Sequence, residues 1–300
     1  LETNMNNKKT GSETEEKTEE LCTTFQSLSV IDNLTSTADQ GKAITSDHCS
    51  KEVDIGALKE SKRQHIWKLM EEKDLIKPYP PSCFNKIPNF KGSGKAAEKL
   101  SKLREFQSAR IIKINPSLAQ MHLRFLTLRN GKTLFVPSPA LGDAFMYVVD
   151  PKNLKQFWQF KRASSKAGAK EFGTELSISR DSESKIDLYV VASTVVSANG
   201  VRLGKGLGYA ELEWAIFYMH GMVTKDTIVA TTVHDSQVLS PTDLPISLMK
   251  CHDLPVDIIV TPTRVINVRK KLIKPSGGVH WDLVTENQLE NIPILKRLKL

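Results

Sequence analysis

The sequence has no run of about 18 apolar residues, the length a membrane-spanning helix needs. Its cysteines are few: Cys22, Cys49, Cys83 and Cys251 stand far apart, and no two have CxxC spacing. That argues against a zinc ribbon and against a disulfide framework, and points to reduced thiols in an intracellular, cytoplasmic protein. No P-loop, dinucleotide fingerprint or G-x-S-x-G elbow is present. The pairs His234-Asp235 and His252-Asp253 therefore lack a nucleophile, and loop or core roles are expected for them. No internal repeat is found.

Arginine is missing from residues 1–55, where five lysines face eleven carboxylates, a net charge of −6. The whole chain carries +8, so the remainder carries +14. The first segment mixes Thr, Ser, Glu, Asn and Lys with few large apolar groups. It buries too little surface to offset chain ordering, so a disordered acidic arm is expected over 1–55. It has neither the apolar core of a signal peptide nor the arginines of a transit peptide. Residues 56–300 read as one basic domain, a charge balance that favours anionic partners such as nucleotide phosphates, polycarboxylates or RNA.

From Gly56 onward the pattern alternates. Helices are expected over Lys59–Lys73 and Lys95–Glu105, and a third from Leu118 to Leu128 that stops at Gly131. Tyr209–His220 is expected as a further helix, with Leu212, Ile216 and Met219 inward. Strands are expected at Arg110–Ile114, Thr133–Val136, Ile186–Ala192, Thr227–Val233 and Asp257–Thr261. Strands alternating with helices predict a mostly parallel sheet covered on both faces.

The most informative stretch runs from Gly200 to Glu211. Gly204, Gly206 and Gly208 alternate between a buried strand and a helix. Glycine permits positive φ and lets a phosphate approach backbone amides. The helix that follows opens with free N–H groups and a partial positive charge. Arg202 and Lys205 add two cations, so a nucleotide triphosphate fits there; a plain tight turn is the competing reading. Lys205–Leu212 also imitates the core of an RNA-recognition motif. Leu207 and Leu212 replace aromatics of that motif, and the spacing from Leu188–Val191 is too short for its intervening elements.

Taken together, Ile186-Asp187-Leu188-Tyr189-Val190-Val191 and Gly200-x-Arg202-Leu203-Gly204-x-Gly206-x-Gly208-Tyr209 resemble the signature of the 5-formyltetrahydrofolate cyclo-ligase family. Further segments point to a divergent branch of it: Ile87–Gly92, Thr232–Val238, Val256–Ile266 and Ile292–Leu295. The resemblance covers about Ala57 to Leu300.

The resemblance implies a three-layer, Rossmann-like α/β sandwich. It implies conversion of 5-formyltetrahydrofolate to 5,10-methenyltetrahydrofolate with ATP and magnesium, through phosphorylation of the formyl oxygen and ring closure by N10. By the same resemblance, Lys59 and Arg63 on the first helix, and Arg202, Gly204, Lys205, Gly206, Gly208 and Tyr209 in the glycine loop, contact the nucleotide. Glu211 and Asp253 would hold magnesium. A reduced folate is the second ligand, and no catalytic residue is assigned.

Several positions depart from the family pattern. Ala210-Glu211 replaces Tyr-Asp, and Leu207 replaces a glycine. The glutamate that the family uses for folate in its first half has no match near Ile87–Ser93. Nucleotide binding is thus better supported than the usual folate pocket, and a non-catalytic nucleotide- or RNA-binding module is the alternative. RNA would have to use exposed basic groups such as Arg269-Lys270-Lys271 and Lys274.

Overall fold

A computed structural model of the chain describes residues 54–142, 144–178 and 184–299. The arm expected to be disordered lies, through residue 53, outside the described residues.

Helix α1 (Ile55–Glu72) buries Ile66, Trp67 and Met70, and Lys59 as well. The helix expected over Lys95–Glu105 is two: α2 (Ser93–Ser101) and α3 (Arg104–Ser108). Lys102 closes the first through its backbone N–H, and Leu103 caps the second in extended conformation. After β1 (Ile111–Ile114) come α4 (Met121–Arg129) and β2 (Thr133–Pro137). Next are β3 (Met146–Val149), α5 (Phe157–Ala163), α6 (Lys166–Phe172) and β4 (Thr174–Glu175). The second half holds β5 (Leu188–Val190), β6 (Val195–Ser197), β7 (Arg202–Leu203), α7 (Tyr209–Met219), β8 (Ile228–Thr232) and β9 (Val238–Leu239). It ends with β10 (Ile258–Val260), β11 (Val265–Asn267), α8 (Glu286–Asn291) and α9 (Pro293–Lys299).

Eight strands form one sheet in the order β11-β10-β8-β5-β1-β2-β3-β4. The five central strands, β2-β1-β5-β8-β10, are parallel, and β11, β3 and β4 add antiparallel edges. Helices α2 and α4 pack on one face, against β8 and β10 and against β2. On the other face α7 sets Trp214 edge-on to Tyr189 at 5.2 Å between ring centres, and Phe217 against Phe145 at 5.1 Å. This is the three-layer α/β arrangement that the alternating pattern predicts.

Two local expectations change. Met219 is not inward but nearly half exposed; α7 buries Glu213, Trp214, Ala215, Ile216 and Phe217 instead. The reason is that α7 is covered on two flanks, by the sheet and by the segment around Pro275, whose carbonyl accepts from the Trp214 indole at 2.8 Å. The glycine loop is also shorter than expected. Arg202 and Leu203 are the strand β7, which pairs antiparallel with β6, and β6 pairs parallel with β9 in a separate three-stranded sheet.

The chain runs outward from β1 to β4 on one side, then returns to β5 and proceeds to β11 on the other. Strand order therefore reverses between β1 and β5. In open α/β sheets, ligands bind beyond the carboxyl ends of strands at such a point.

Candidate functional site

A cavity of about 770 Å³ opens at that place. Its floor holds Asn115–Ser117, which follow β1, and Ala192, which follows β5. Its walls come from α1, from residues 203–213 and from 275–288. The loop after β1 is held by Arg124 of α4, which is buried and donates to the carbonyls of Asn115 at 2.5 Å, Ser117 at 3.0 Å and Ser164 at 2.7 Å. Burial lowers the pKa of that guanidinium to about 9.

The glycine loop owes its course to two positive backbone angles, φ 97° at Gly206 and φ 68° at Gly208, the residue that starts α7. L side chains pay for such angles with strain, so glycine belongs at both. Among the described residues, the backbone N–H groups of 205–211 donate to no protein acceptor. Seven consecutive donors thus stand along one wall of the cavity.

Cations surround them. Arg63 donates through Nε to the carbonyl of Gly204 at 2.8 Å, and its guanidinium lies close to where a Cβ on Gly206 would stand. Lys205 sits 5.7 Å above the Tyr209 ring; burial, and then Lys166, lower its pKa. Lys59, Lys86 and Lys166 also line the cavity. Arg202 is nearly buried, and its Nη1 meets Glu211 Oε1 at 2.7 Å. Among the described residues three carboxylates line the cavity, and each is paired: Glu211 with Arg202, Asp253 with Lys59, and Glu213 with Lys113. Lys59 and Arg202 are taken up by two of these pairs, and Arg63 also meets Glu60 at 3.0 Å; Lys86, Lys166 and Lys205 remain, and leave a site suited to an anion.

The sequence-derived residues thus converge. Lys59, Arg63, Arg202, Gly204, Lys205, Gly206, Gly208, Tyr209, Glu211 and Asp253 all line this one cavity. Lys59 and Asp253, 194 residues apart, are joined directly. Leu207, which stands where the family pattern has glycine, is half exposed at the cavity wall.

A model of the 5-formyltetrahydrofolate cyclo-ligase family matches residues 58–262, more than two thirds of the sequence. The chain belongs to this family. Curated relatives carry the description methenyltetrahydrofolate synthase domain-containing protein. The mouse protein is 40% identical over 248 residues, covering 83% of this chain and 65% of the mouse one. The Bos taurus protein is 38% identical over 244 residues, covering 81% and 62%. The chain therefore spans just under two thirds of the length of these relatives. Among solved structures, the Aquifex aeolicus 5,10-methenyltetrahydrofolate synthetase is 19% identical with a TM-score of 0.43, covering 75% of this chain and 98% of its own. The Mycoplasma pneumoniae synthetase has a TM-score of 0.39 at 14% identity, covering 72% and 100%.

The family match ends at Pro262, whereas the cavity wall at 275–288 lies beyond it. From that wall Gln288 Nε2 donates to the Leu207 carbonyl at 3.2 Å, and His280 stands 5.7 Å from His252. Neither contact was predicted from spacing. Lys113, Asn115 and Glu213 were also missed. Their signal was a lone charge within the apolar run Ile111–Ile114, and another within apolar α7.

Three of the segments that mark the divergent branch meet in a structural joint, and Ile87 and Asn89 of the first also line the cavity. His234 packs edge-on to Phe90 at 6.2 Å, and Gly92 lies tight against Pro262. Asp235 accepts from the hydroxyls of Thr261 at 2.6 Å and Thr263 at 2.5 Å.

The basic surface proposed for RNA is reduced by one member. Arg269, Lys270 and Lys271 are exposed, but Lys274 is buried and paired with Asp257 at 2.9 Å. Among the described residues, no helix is long and apolar enough to cross a membrane.

Proposed function

We propose that residues 56–300 form an ATP- and magnesium-binding domain that acts on 5-formyltetrahydrofolate to give 5,10-methenyltetrahydrofolate. The observation that carries this reading is the row of unpartnered N–H groups over 205–211, in a cation-lined cavity at the sheet's switch point. Oxygen-rich polyphosphate satisfies such donors, and the start of α7 favours its charge.

Lys59 and Arg63 lie one helical turn apart and present two cations on one side of α1. Arg63, anchored on the Gly204 carbonyl, fixes the loop against that helix. Gly204, Gly206, Gly208 and Tyr209 shape the cradle, while Lys205 and Arg202 flank it.

Magnesium takes one or two carboxylates and completes its shell with phosphate oxygens and water. Glu211 and Asp253 supply two carboxylates on the cavity wall, and no group of three ligating side chains is found among the described residues. The residues therefore fit an ion shared with phosphate, not one caged by protein alone. When bound, the metal–nucleotide supplies a phosphoryl group that converts the formyl oxygen into a leaving group. The chain's own part is to align the reactants, exclude water and offset negative charge with Lys59, Arg63, Arg202 and Lys205.

The test is direct. The chain is incubated with ATP, magnesium and 5-formyltetrahydrofolate, and methenyl absorbance is followed. Product formation dependent on all three is expected; nucleotide binding without product would overturn the reaction. A second reading, a nucleotide-binding module without turnover, draws on the ion pairs that occupy Glu211 and Asp253.

A further inference from the structure

Charge is unevenly placed around the cavity. Among the described residues, the lysines and arginines that line it are Lys59 and Arg63 of α1, Arg202 and Lys205 of the glycine loop, and Lys86 and Lys166. The wall at 275–288 adds no Lys, Arg, Asp or Glu to the lining; its own Asp282 and Glu286 lie outside it. That wall presents apolar and carboxamide side chains instead, among them Leu283, Val284, Asn287 and Gln288. Two leucines stay half exposed here, Leu283 on the wall and Leu207 on the loop that the wall is bonded to. An exposed leucine is ordinary by itself. These two border a row of unpartnered amides and a cluster of cations, so apolar surface and phosphate-binding groups stand side by side in one chamber.

Hydrogen bonds hold the wall in register with the loop. Gln288 Oε1 accepts from the Thr285 N–H at 3.0 Å, and Gln288 Nε2 donates to the Leu207 carbonyl at 3.2 Å. Thr285 Oγ1 in turn accepts from the Gln288 N–H at 3.1 Å, so the Gln288 carboxamide is spent on the joint. Its neighbour Asn287 is not. The Asn287 side chain is exposed, lines the cavity and meets no protein partner among the described residues. A carboxamide presents a donor and an acceptor side by side in one plane.

We propose that the wall at 275–288 seats the base of the nucleotide, with Leu207 and Leu283 against its flat face and Asn287 selecting adenine at its edge. This rests on the phosphate reading above. A nucleotide joins a neutral planar base to an anionic chain, and the cavity has a wall without charge bonded to a loop that binds anions. Binding sites combine apolar contact with a few placed polar groups in this way. Adenine offers an amino donor beside a ring-nitrogen acceptor, the complement of Oδ1 and Nδ2 of Asn287. Guanine offers two acceptors on the same edge and leaves Oδ1 without a donor. The leucines therefore hold either purine, and Asn287 chooses between them. The wall lies past Pro262, outside the family match, so this contact is separate from the family's signature loop.

The experiment measures the affinity of the whole chain, with magnesium, for ATP, GTP and inorganic tripolyphosphate. Wild type is expected to bind ATP about tenfold or more tightly than GTP, the worth of one well-placed pair of hydrogen bonds to a base. Asn287→Ala is expected to bring ATP affinity down to that of GTP and to leave GTP and tripolyphosphate within about twofold of wild type. Leu283→Ala is expected to weaken ATP and GTP alike by about fivefold, keeping their ratio, again with tripolyphosphate unchanged. Both side chains are exposed, so both variants are expected to melt close to wild type. A wild-type ATP-to-GTP ratio near one, or a ratio that Asn287→Ala leaves unchanged, would overturn the inference alone. So would a Leu283→Ala variant that keeps ATP affinity and loses 5-formyltetrahydrofolate, which would give the wall to the second ligand. Absence of tripolyphosphate and ATP binding in wild type would overturn the phosphate reading beneath it.

Discussion

Arg202 and Glu211 meet at 2.7 Å, and that contact closes the glycine loop into a ring between β7 and α7. The same guanidinium donates to the Ala192 carbonyl, through Nη2 at 3.1 Å and Nε at 3.3 Å. A Cβ on Gly204 would stand 2.8 Å from Nη2 of Arg202. Gly204→Ala is therefore expected to push the guanidinium off its partners and to weaken ATP binding at least tenfold. Gly208→Ala puts a side chain at φ 68° and costs about 1–2 kcal/mol of stability. Calorimetric titration and thermal melts check the two separately; wild-type affinity in Gly204→Ala would count against the ring.

Metal and nucleotide should bind together. Two of the four predicted phosphate cations, Lys59 and Arg202, are each paired with a predicted metal carboxylate, Asp253 and Glu211. Nucleotide alone would take the cations and leave the carboxylates without partners. ATP affinity in chelator is thus expected to be at least tenfold lower than with magnesium. Replacing both carboxylates, Glu211→Gln with Asp253→Asn, should raise metal-free ATP affinity and shrink the magnesium effect. A magnesium effect as large as in wild type would contradict this pairing role.

Lys274→Met should destabilise the fold without touching nucleic acid. It leaves Asp257, itself buried and accepting from the Val229 N–H at 2.8 Å, without its ion partner. A loss of about 3–5 kcal/mol is expected on denaturant unfolding. A small loss, within 1 kcal/mol, would mean the aspartate finds another partner.

His234 gives the fold a pH dependence of known sign. Burial lowers its pKa below the ordinary 6.5, although Asp235 acts in the opposite direction. The neutral ring uses Nδ1 to accept from the Ser236 N–H at 3.1 Å. Because the unfolded chain takes up this proton more readily, the contribution is present above pH 6.5 and declines as pH falls below it. His234→Asn keeps a cap acceptor without a titrating ring. Its stability is expected to change less between pH 7 and 5 than that of wild type, as read by melting temperature.

Much of the architecture was legible in the sequence, because it follows from local periodicity. The strands expected at Arg110–Ile114 and Asp257–Thr261 form as Ile111–Ile114 and Ile258–Val260, and α7 followed from its apolar spacing. The glycine loop announced itself by composition and by the signature around it. What stayed hidden depends on distant partners. Arg202–Leu203 is a strand only because β6 lies beside it. Lys113 and Glu213 are each improbable alone and explain one another only across 100 residues. Lys274 looked like part of a solvated basic run until Asp257 was found beneath it.

The hydrogen bond from Gln288 to Leu207 ties the phosphate loop to a stretch outside the family's common span. A fragment trimmed at Pro262, the natural choice by homology, would expose the back of the loop to bulk water and abolish one side of the chamber. Kinetic work on such a truncation would describe a different molecule from the one that carries this wall.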